Sequence, residues 1–147
     1  MFDLLVALCL FNEIACEQQK IINYAVRSAE LHQIDSNKFL ELISCESRFI
    51  KNAKGDYRIE EDRYMANGIL QFWQGTFNEQ AKKYGINGKY TDPYSQIDIA
   101  TRIIAGGGWR HWQNCMKAIG WKNSEHLLAR KNNANIKLGL YSTRWGP

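Results

Sequence analysis

The sequence predicts a mainly α-helical protein, a helical bundle with one irregular insertion. Apolar residues recur at three- and four-residue spacing in several segments, for example between residues 36 and 50. Helix-start signals accompany this spacing, as where Asp92 is followed by Pro93. The helical period is lost between residues 52 and 73, so we expect a loop or a small β-excursion there.

The N-terminal half is predicted to contain three helices. Periodicity places the first over residues 3–16 and the second over residues 18–32. Asp35 or Ser36 caps the third helix, which carries Glu46 at its C-terminal end.

The C-terminal half is predicted to contain two helices with clear boundaries. Thr76 and Glu79 form a capping box, which starts a helix that ends near Tyr84. The other helix follows the Asp-Pro pair and stops at three consecutive glycines, residues 106–108. A weaker signal at residues 124–131 indicates a further helix.

Length and composition indicate one globular domain, over residues 1–147. The longest apolar run, residues 4–11, is shorter than the roughly 20 residues that a membrane-spanning helix needs. Residues 1–16 are interpreted either as the remnant of a secretory signal or, preferably, as a helix packed on the domain.

Two function classes find no support in the sequence. His32, His111 and His126 form no His-Glu-x-x-His motif and no Cys-x-x-Cys pair occurs, so we expect neither a metal site nor a cofactor. The net charge of +4 favours acidic partners. Because the basic residues are scattered and no known nucleic-acid-binding motif occurs, we expect no nucleic-acid partner.

Glu46 is an acid within an apolar helical stripe. At about 100° per residue it falls near the middle of the stripe formed by Phe39, Leu42, Ile43, Phe49 and Ile50. Burial disfavours a charged carboxylate, so we expect the pKa of Glu46 to lie above its usual value of about 4.3, as a general acid requires near neutral pH. The alternative is a frayed last turn, with Glu46 facing water or paired with Arg48.

Two later motifs favour a catalytic role for this acid. Gln71 follows Glu46 by 25 residues, within the Asn-Gly-Ile-Leu-Gln-Phe-Trp segment of residues 67–73. Residues 91–97 read Thr-Asp-Pro-Tyr-Ser-Gln-Ile and lead into a helix. With Glu-Ser at residues 46 and 47, the order and spacing of these motifs over residues 21–112 resemble the lysozyme-like fold of soluble lytic transglycosylases and goose-type lysozymes.

The resemblance implies a cleft that cleaves peptidoglycan at the β-1,4 bond between N-acetylmuramic acid and N-acetylglucosamine. Glu46 would be the general acid and base, and Ser47 would orient it or bind the substrate. A lytic transglycosylase needs no second carboxylate, since the N-acetyl and 6-hydroxyl groups of the substrate complete the reaction. An inverting hydrolase needs a second carboxylate, about 6.5–9.5 Å from the first. The first candidate is Asp62, among the loop acids Asp56, Glu60, Glu61 and Asp62.

Sugar contacts are expected from one amide and several aromatic side chains. Gln71 can donate to and accept from an N-acetyl group or a sugar hydroxyl. Tyr64, Trp73 and Trp109 offer flat apolar faces for pyranose rings. Of Trp109 and Trp112, at least one is expected to be structural.

The chain departs from the family pattern at several positions. Arg48 stands where Gly is usual and Gln96 where Asn is usual, and residues 106–112 replace the stretch that usually carries a catalytic-site tyrosine. These departures motivate an alternative, a wall-binding module without catalysis. A chitin-directed glycosidase is a further alternative, since the same chemistry fits an N-acetylglucosamine polymer.

Four cysteines allow three pairings. We favour Cys45 with Cys115, because Cys45 precedes the candidate acid and Cys115 follows a Trp-rich segment expected to border the same cleft. Cys9 and Cys16 would lie about 10.5 Å apart in one helix, too far for a disulfide, so we expect buried thiols. The resemblance also implies a monomer that acts outside the cytoplasm, produced by a bacterium or carried by a phage.

Overall fold

The structure is a computed structural model that describes residues 12–122. Five α-helices in this part surround an apolar core, and a small sheet is inserted after the second of them. The helices are α1 (Glu13–Leu31), α2 (Ser36–Ser47), α3 (Gln74–Tyr84), α4 (Pro93–Ala105) and α5 (Gln113–Ala118). The strands are β1 (Lys54–Arg58), β2 (Arg63–Asn67) and β3 (Phe72–Trp73), with short 3₁₀ helices at Ile59–Glu61 and Trp109–Trp112. The predicted mainly α-helical class is confirmed.

Helix α1 is continuous where the sequence predicted a break between two helices. Asn12 caps its first turn, since the side-chain Oδ1 accepts a hydrogen bond from the Ala15 N–H at 3.2 Å. The boundary expected between residues 16 and 18 was therefore wrong. Residues 1–11 of the predicted first helix lie outside the described residues.

Cys16 is buried in the first turn of α1 and is disulfide-bonded, so the expectation of a thiol at this position was wrong. The expectation assumed that one helix runs through both Cys9 and Cys16. Helix α1 instead begins at Glu13, so the helical spacing does not apply. Cys9 lies outside the described residues.

Helix α2 begins as predicted. The Asp35 carboxylate caps it by accepting a hydrogen bond from the Lys38 N–H at 3.0 Å. Phe39, Leu42 and Ile43 are fully buried and anchor the helix in the core. The predicted apolar stripe is confirmed over this part of the helix.

The end of α2 departs from the predicted stripe. The helix stops at Ser47, and the next two residues, Arg48 and Phe49, both have left-handed backbone angles, with φ of 54° and 61°. The chain thereby turns away from the helix axis. Ile50 is 52% exposed, so its assignment to the buried stripe was wrong.

The irregular segment contains a three-stranded antiparallel sheet in the order β1-β2-β3. Gly55 pairs with Ala66, which in turn pairs with Trp73. The 3₁₀ helix at Ile59–Glu61 lies in the connection between β1 and β2. The predicted β-excursion is confirmed.

Helices α3 and α4 follow the sequence signals to different degrees. Helix α3 begins at Gln74, before the predicted capping box, and its N-cap residue Trp73 makes no side-chain capping bond. The predicted start of α3 was therefore wrong, whereas its end at Tyr84 agrees. Asp92 caps α4 as predicted, because its carboxylate accepts a hydrogen bond from the Ser95 N–H at 2.9 Å.

Helix α4 packs against α1 and is the centre of the core. Seven of its residues with apolar or small side chains are buried. One of them, Thr101, forms a hydrogen bond with Ser28 of α1, with 3.0 Å between the two hydroxyl oxygens.

Within residues 12–122, no helix is long and apolar enough to cross a membrane. The predicted helix at residues 124–131 lies outside the described residues, and a single domain over residues 1–147 stays a prediction.

Candidate active site

Glu46 lies in the last turn of α2 and is partly buried. Burial is the main cause that raises the pKa of its carboxyl group to about 7 from an ordinary value of 4.5. A carboxyl group with this pKa is about half protonated at neutral pH, so it can donate a proton and, once ionised, accept one. The raised pKa of Glu46 agrees with the expectation from the sequence, while its role as general acid and base stays a prediction.

Ser47, directly after the acid, is buried and joins α2 to the chain beyond β2. Its hydroxyl donates a hydrogen bond to the Ile69 carbonyl oxygen at 2.8 Å and lies 3.3 Å from the Ile43 carbonyl oxygen. The single hydroxyl hydrogen is thus engaged within the protein. Of the two expected roles for Ser47, this geometry favours positioning of Glu46 over direct contact with the substrate, and both stay predictions.

Cys45, directly before the acid, is joined to Cys115 of α5 by a disulfide, with the Cα atoms 5.8 Å apart. This is the pairing that the sequence favoured. Ser47, the residue after Glu46, is hydrogen-bonded to Ile69, so both sequence neighbours of Glu46 are linked to segments distant in sequence. The backbone that carries the acid is therefore fixed from two directions.

Gln71 supports the loop that faces the end of α2. It has φ of 49°, and its side-chain Nε2 donates to the carbonyl oxygens of Gly68 at 2.8 Å and Ala53 at 3.1 Å. Both amide hydrogens are therefore committed to the backbone, while Oε1 keeps capacity to accept. A sugar contact through Gln71 stays a prediction and would have to use this oxygen.

Two further residues, Gln96 and Trp112, hold the loop from the core side. The Gln96 Oε1 accepts a hydrogen bond from the Leu70 N–H at 3.0 Å, and its Nε2 donates to the Asn67 carbonyl at 3.0 Å and the Tyr90 carbonyl at 2.9 Å. The Trp112 Nε1 donates to the Leu70 carbonyl at 2.8 Å. Trp112 is 3% exposed, which confirms that one of the two tryptophans is structural.

The sequence analysis noted Gln96 only as a departure from the family pattern and missed its role. The sequence did contain a signal for this role, because Gln96 lies in a helix that is otherwise rich in apolar residues. A Gln that is fully buried there requires several hydrogen-bond partners. Gly68 has φ of +83°, and a Cβ there would stand 2.2 Å from the Gln96 Nε2. Glycine is thus required at this position for both backbone and space.

A cavity of about 300 Å³ lies beside this loop. Trp73, 38% exposed, contributes one wall. The lining residues are Gln71, Phe72, Trp73, Thr76, His111 and Trp112. The structure thus brings two of the predicted sugar-contacting residues, Gln71 and Trp73, into one cavity.

A second cavity, of about 500 Å³, lies where β2 and β3 meet the start of α3. Trp73 lines it together with Tyr64, which is 52% exposed and also stacks edge to face on Tyr57. Tyr90 closes another side, and its hydroxyl donates to the Phe72 carbonyl at 2.7 Å. Tyr64 and Trp73 are therefore brought together, as a sugar-binding surface would require.

Asp62 lies in the chain connection between β1 and β2 and does not line either cavity. Its side chain is exposed, it has φ of 49°, and its carboxylate accepts a hydrogen bond from the Tyr57 hydroxyl. Its role as a second acid stays a prediction. The side chain of Trp109 lies outside the described part of the structure.

Strained backbone is concentrated around the candidate site. Of the six described non-glycine residues with positive φ, five fall between the end of α2 and β3: Arg48, Phe49, Asp56, Asp62 and Gln71. Such angles cost free energy and cluster at functional sites.

Across residues 12–122, no group of three or more His, Cys, Asp or Glu side chains is arranged to hold a metal ion.

Comparison with protein families gives one match. Residues 23–124 match the family model described as the transglycosylase SLT domain. This range contains the candidate acid, the sheet and both tryptophan-lined cavities. No curated protein and no solved structure matches the chain significantly.

Proposed function

The chain belongs to the transglycosylase SLT domain family, and on this premise we propose that it is a lytic transglycosylase with Glu46 as general acid and base. Its substrate would be the glycan strand of peptidoglycan, cut at the β-1,4 bond between N-acetylmuramic acid and N-acetylglucosamine. The carrying observation is a carboxyl group with a pKa of about 7, raised by burial, at the end of a helix fixed on both sides.

The proposed reaction uses Glu46 twice. The protonated carboxyl group first gives its proton to the departing glycosidic oxygen, while positive charge develops at the anomeric carbon. The resulting carboxylate then takes the proton of the 6-hydroxyl group on the same sugar as that oxygen bonds to the anomeric carbon. The product is a 1,6-anhydro sugar, no water is consumed, and Glu46 ends protonated as it began.

Product analysis tests the reaction type. Purified protein is incubated with isolated peptidoglycan and the released fragments are identified by mass spectrometry. Anhydro-muramyl ends support the proposal, whereas reducing ends would show a hydrolase and would make Asp62 the first residue to replace. Release of chitooligosaccharides without wall lysis would point to chitin as the substrate.

Replacement of Glu46 tests the residue assignment. Glu46→Gln should remove clearing of a cell-wall suspension, since an amide cannot give up the required proton. The matched control is Glu41→Gln in the same helix, at an exposed glutamate paired with Lys38. If Glu46→Gln binds the wall and clears it as fast as the parent, Glu46 is not the acid. Wall binding by the parent without any soluble product would instead favour a binding module.

The proposed place of action is outside the cytoplasm, where peptidoglycan lies. The three described disulfide-bonded cysteines, Cys16, Cys45 and Cys115, support this because disulfides persist in oxidising compartments. A monomeric state is part of the same proposal.

A further inference from the structure

Trp73 stands between the two cavities of the candidate site. It is the last residue of β3 and lines both the cavity of about 300 Å³ and the cavity of about 500 Å³. A ligand that extends from one cavity into the other must therefore pass this indole ring. A sugar polymer is such a ligand under the proposed function, on which the present inference rests.

Arg58, at the end of β1, is held against this ring. Its guanidinium carbon lies 4.8 Å from the centroid of Trp73, within the range of a cation–π contact. The side chain is exposed to solvent, so the guanidinium N–H groups can reach a ligand on the ring. The contact with Trp73 restricts the long side chain in advance, which lowers the entropy cost of using it for binding.

The charge of Arg58 is uncompensated within residues 12–122. Its neighbour Arg63 forms an ion pair with Glu61, with the Arg63 Nε 2.8 Å from the carboxylate oxygen. No described carboxylate forms such a pair with Arg58. Within the described part of the chain, one of the two arginines at this edge of the sheet is therefore neutralised, and the other has no ion-pair partner and lies beside an aromatic surface.

We propose that Arg58 binds a carboxylate of the peptide stems carried by the glycan, and so selects peptide-bearing strands over uncharged polymers such as chitin. A planar guanidinium with five donors suits a carboxylate, which it can bind through two parallel hydrogen bonds. Sugar hydroxyl groups alone would not require a charged partner. Arg58 thus determines substrate class, while Trp73 provides the surface for the sugar.

The test combines a change in the protein with a change in the substrate. Peptidoglycan is used as isolated, or after its peptide carboxylates have been converted to amides, which removes the charge. Binding to the insoluble wall is measured in the Glu46→Gln background, so that cleavage does not alter the substrate. In this background Arg58→Gln is compared with Lys54→Gln, which removes another exposed cation from the same strand.

Arg58→Gln should weaken binding to the native wall by about fivefold to tenfold, as expected for one partly exposed charge-assisted contact. The effect should disappear on the amidated wall and shrink at high salt. Lys54→Gln should bind both walls as the parent does, and Arg58→Lys should restore part of the lost affinity, because it restores charge but not the planar fork.

Two outcomes would overturn this inference. If Arg58→Gln weakens binding equally on native and amidated walls, the arginine only packs on Trp73. If it binds both as tightly as the parent, Arg58 has no part in recognition. Because these readouts measure binding, they are independent of product analysis with the active protein, whose failure would count against the proposed function instead.

Discussion

The Ser47 hydroxyl donates a 2.8 Å hydrogen bond to the carbonyl oxygen of Ile69, 22 residues further along the chain. The bond links the residue after the candidate acid to the loop that leads into the first cavity. Cys45, the residue before the acid, is joined to α5 by its disulfide. The carboxyl group of Glu46 is thus positioned by contacts that its neighbours make.

Ser47→Ala should lower turnover more than substrate affinity. Removal of the Ser47 hydroxyl leaves the buried Ile69 carbonyl oxygen without this donor, which should lower the free energy of unfolding by about 1–3 kcal/mol. Without the bond the last turn of α2 can shift, so we expect kcat to fall and KM to change little. Steady-state kinetics on soluble glycan strands measures both. Ser44→Ala, at an exposed position in the same helix, is the control, and a rise in KM at constant kcat would instead indicate direct substrate contact.

The activity should decline as the pH rises through about 7, the pKa of Glu46 in the folded protein. The reaction starts from the protonated carboxyl group, so kcat/KM should fall by about tenfold for each pH unit above that pKa. A pH profile of wall clearing at constant ionic strength measures this limb. If the activity began to decline near pH 4.5, the ordinary pKa of a glutamate, this would contradict the raised pKa of Glu46.

The same raised pKa makes a prediction for stability. Between about 4.5 and 7 the folded protein holds a proton that the unfolded chain releases, so raising the pH through this window favours unfolding. The Glu46→Gln variant has no ionisable group at this position, so its free energy of unfolding should not fall in this way. The difference in unfolding free energy between Glu46→Gln and the parent should therefore grow from pH 4.5 to 7 and stay constant above it, as measured by denaturant titration at several pH values.

Removal of the Cys45–Cys115 disulfide should reduce both stability and turnover. The bond closes a loop with a sequence separation of 70 residues, for which chain entropy predicts a stabilisation of about 4 kcal/mol. We expect the double variant Cys45→Ser, Cys115→Ser to lose about 2–4 kcal/mol in unfolding free energy. Its kcat should fall even at temperatures where circular dichroism shows a folded protein. Unchanged kcat in the folded variant would limit the disulfide to stability.

Gln96→Leu should destabilise the fold strongly. Leucine is similar in size but leaves the Leu70 N–H and two carbonyl groups without the partners that Gln96 provides, so we expect a loss of about 3 kcal/mol or more. Thermal unfolding measures the effect. Gln113→Leu, at an exposed position in α5, should change stability by less than about 0.5 kcal/mol. Equal effects of the two variants would mean that the network around Gln96 carries little free energy.

The helix boundaries with local capping signals could be predicted from the sequence. Asp35 and Asp92 each accept a bond from an N–H three residues ahead, an interaction that depends only on the adjacent chain. The start of α3 could not be predicted in this way, since Trp73 is fixed by pairing with Ala66 of β2. Tertiary contacts overrode the local capping box there.

The candidate site was predictable in part for the same reason. Glu46 and the aromatic residues were identifiable from periodicity, residue type and family resemblance. The roles of Gln96 and Trp112 depend on hydrogen bonds to residues 26 and 42 positions away, which periodicity does not encode. Ser47 was predicted as a candidate site residue, but its hydrogen bond to the Ile69 carbonyl oxygen became clear only in three dimensions.

The hydrogen bond from the Trp112 indole to the Leu70 carbonyl sets a lower limit on the length of any working fragment. A recombinant piece that stopped at the end of α4 would contain the acid, the sheet and Gln96. It would lack one wall of the first cavity and the cysteine that fixes α2. A shortened fragment made for assays of the proposed activity should therefore keep the chain at least through α5.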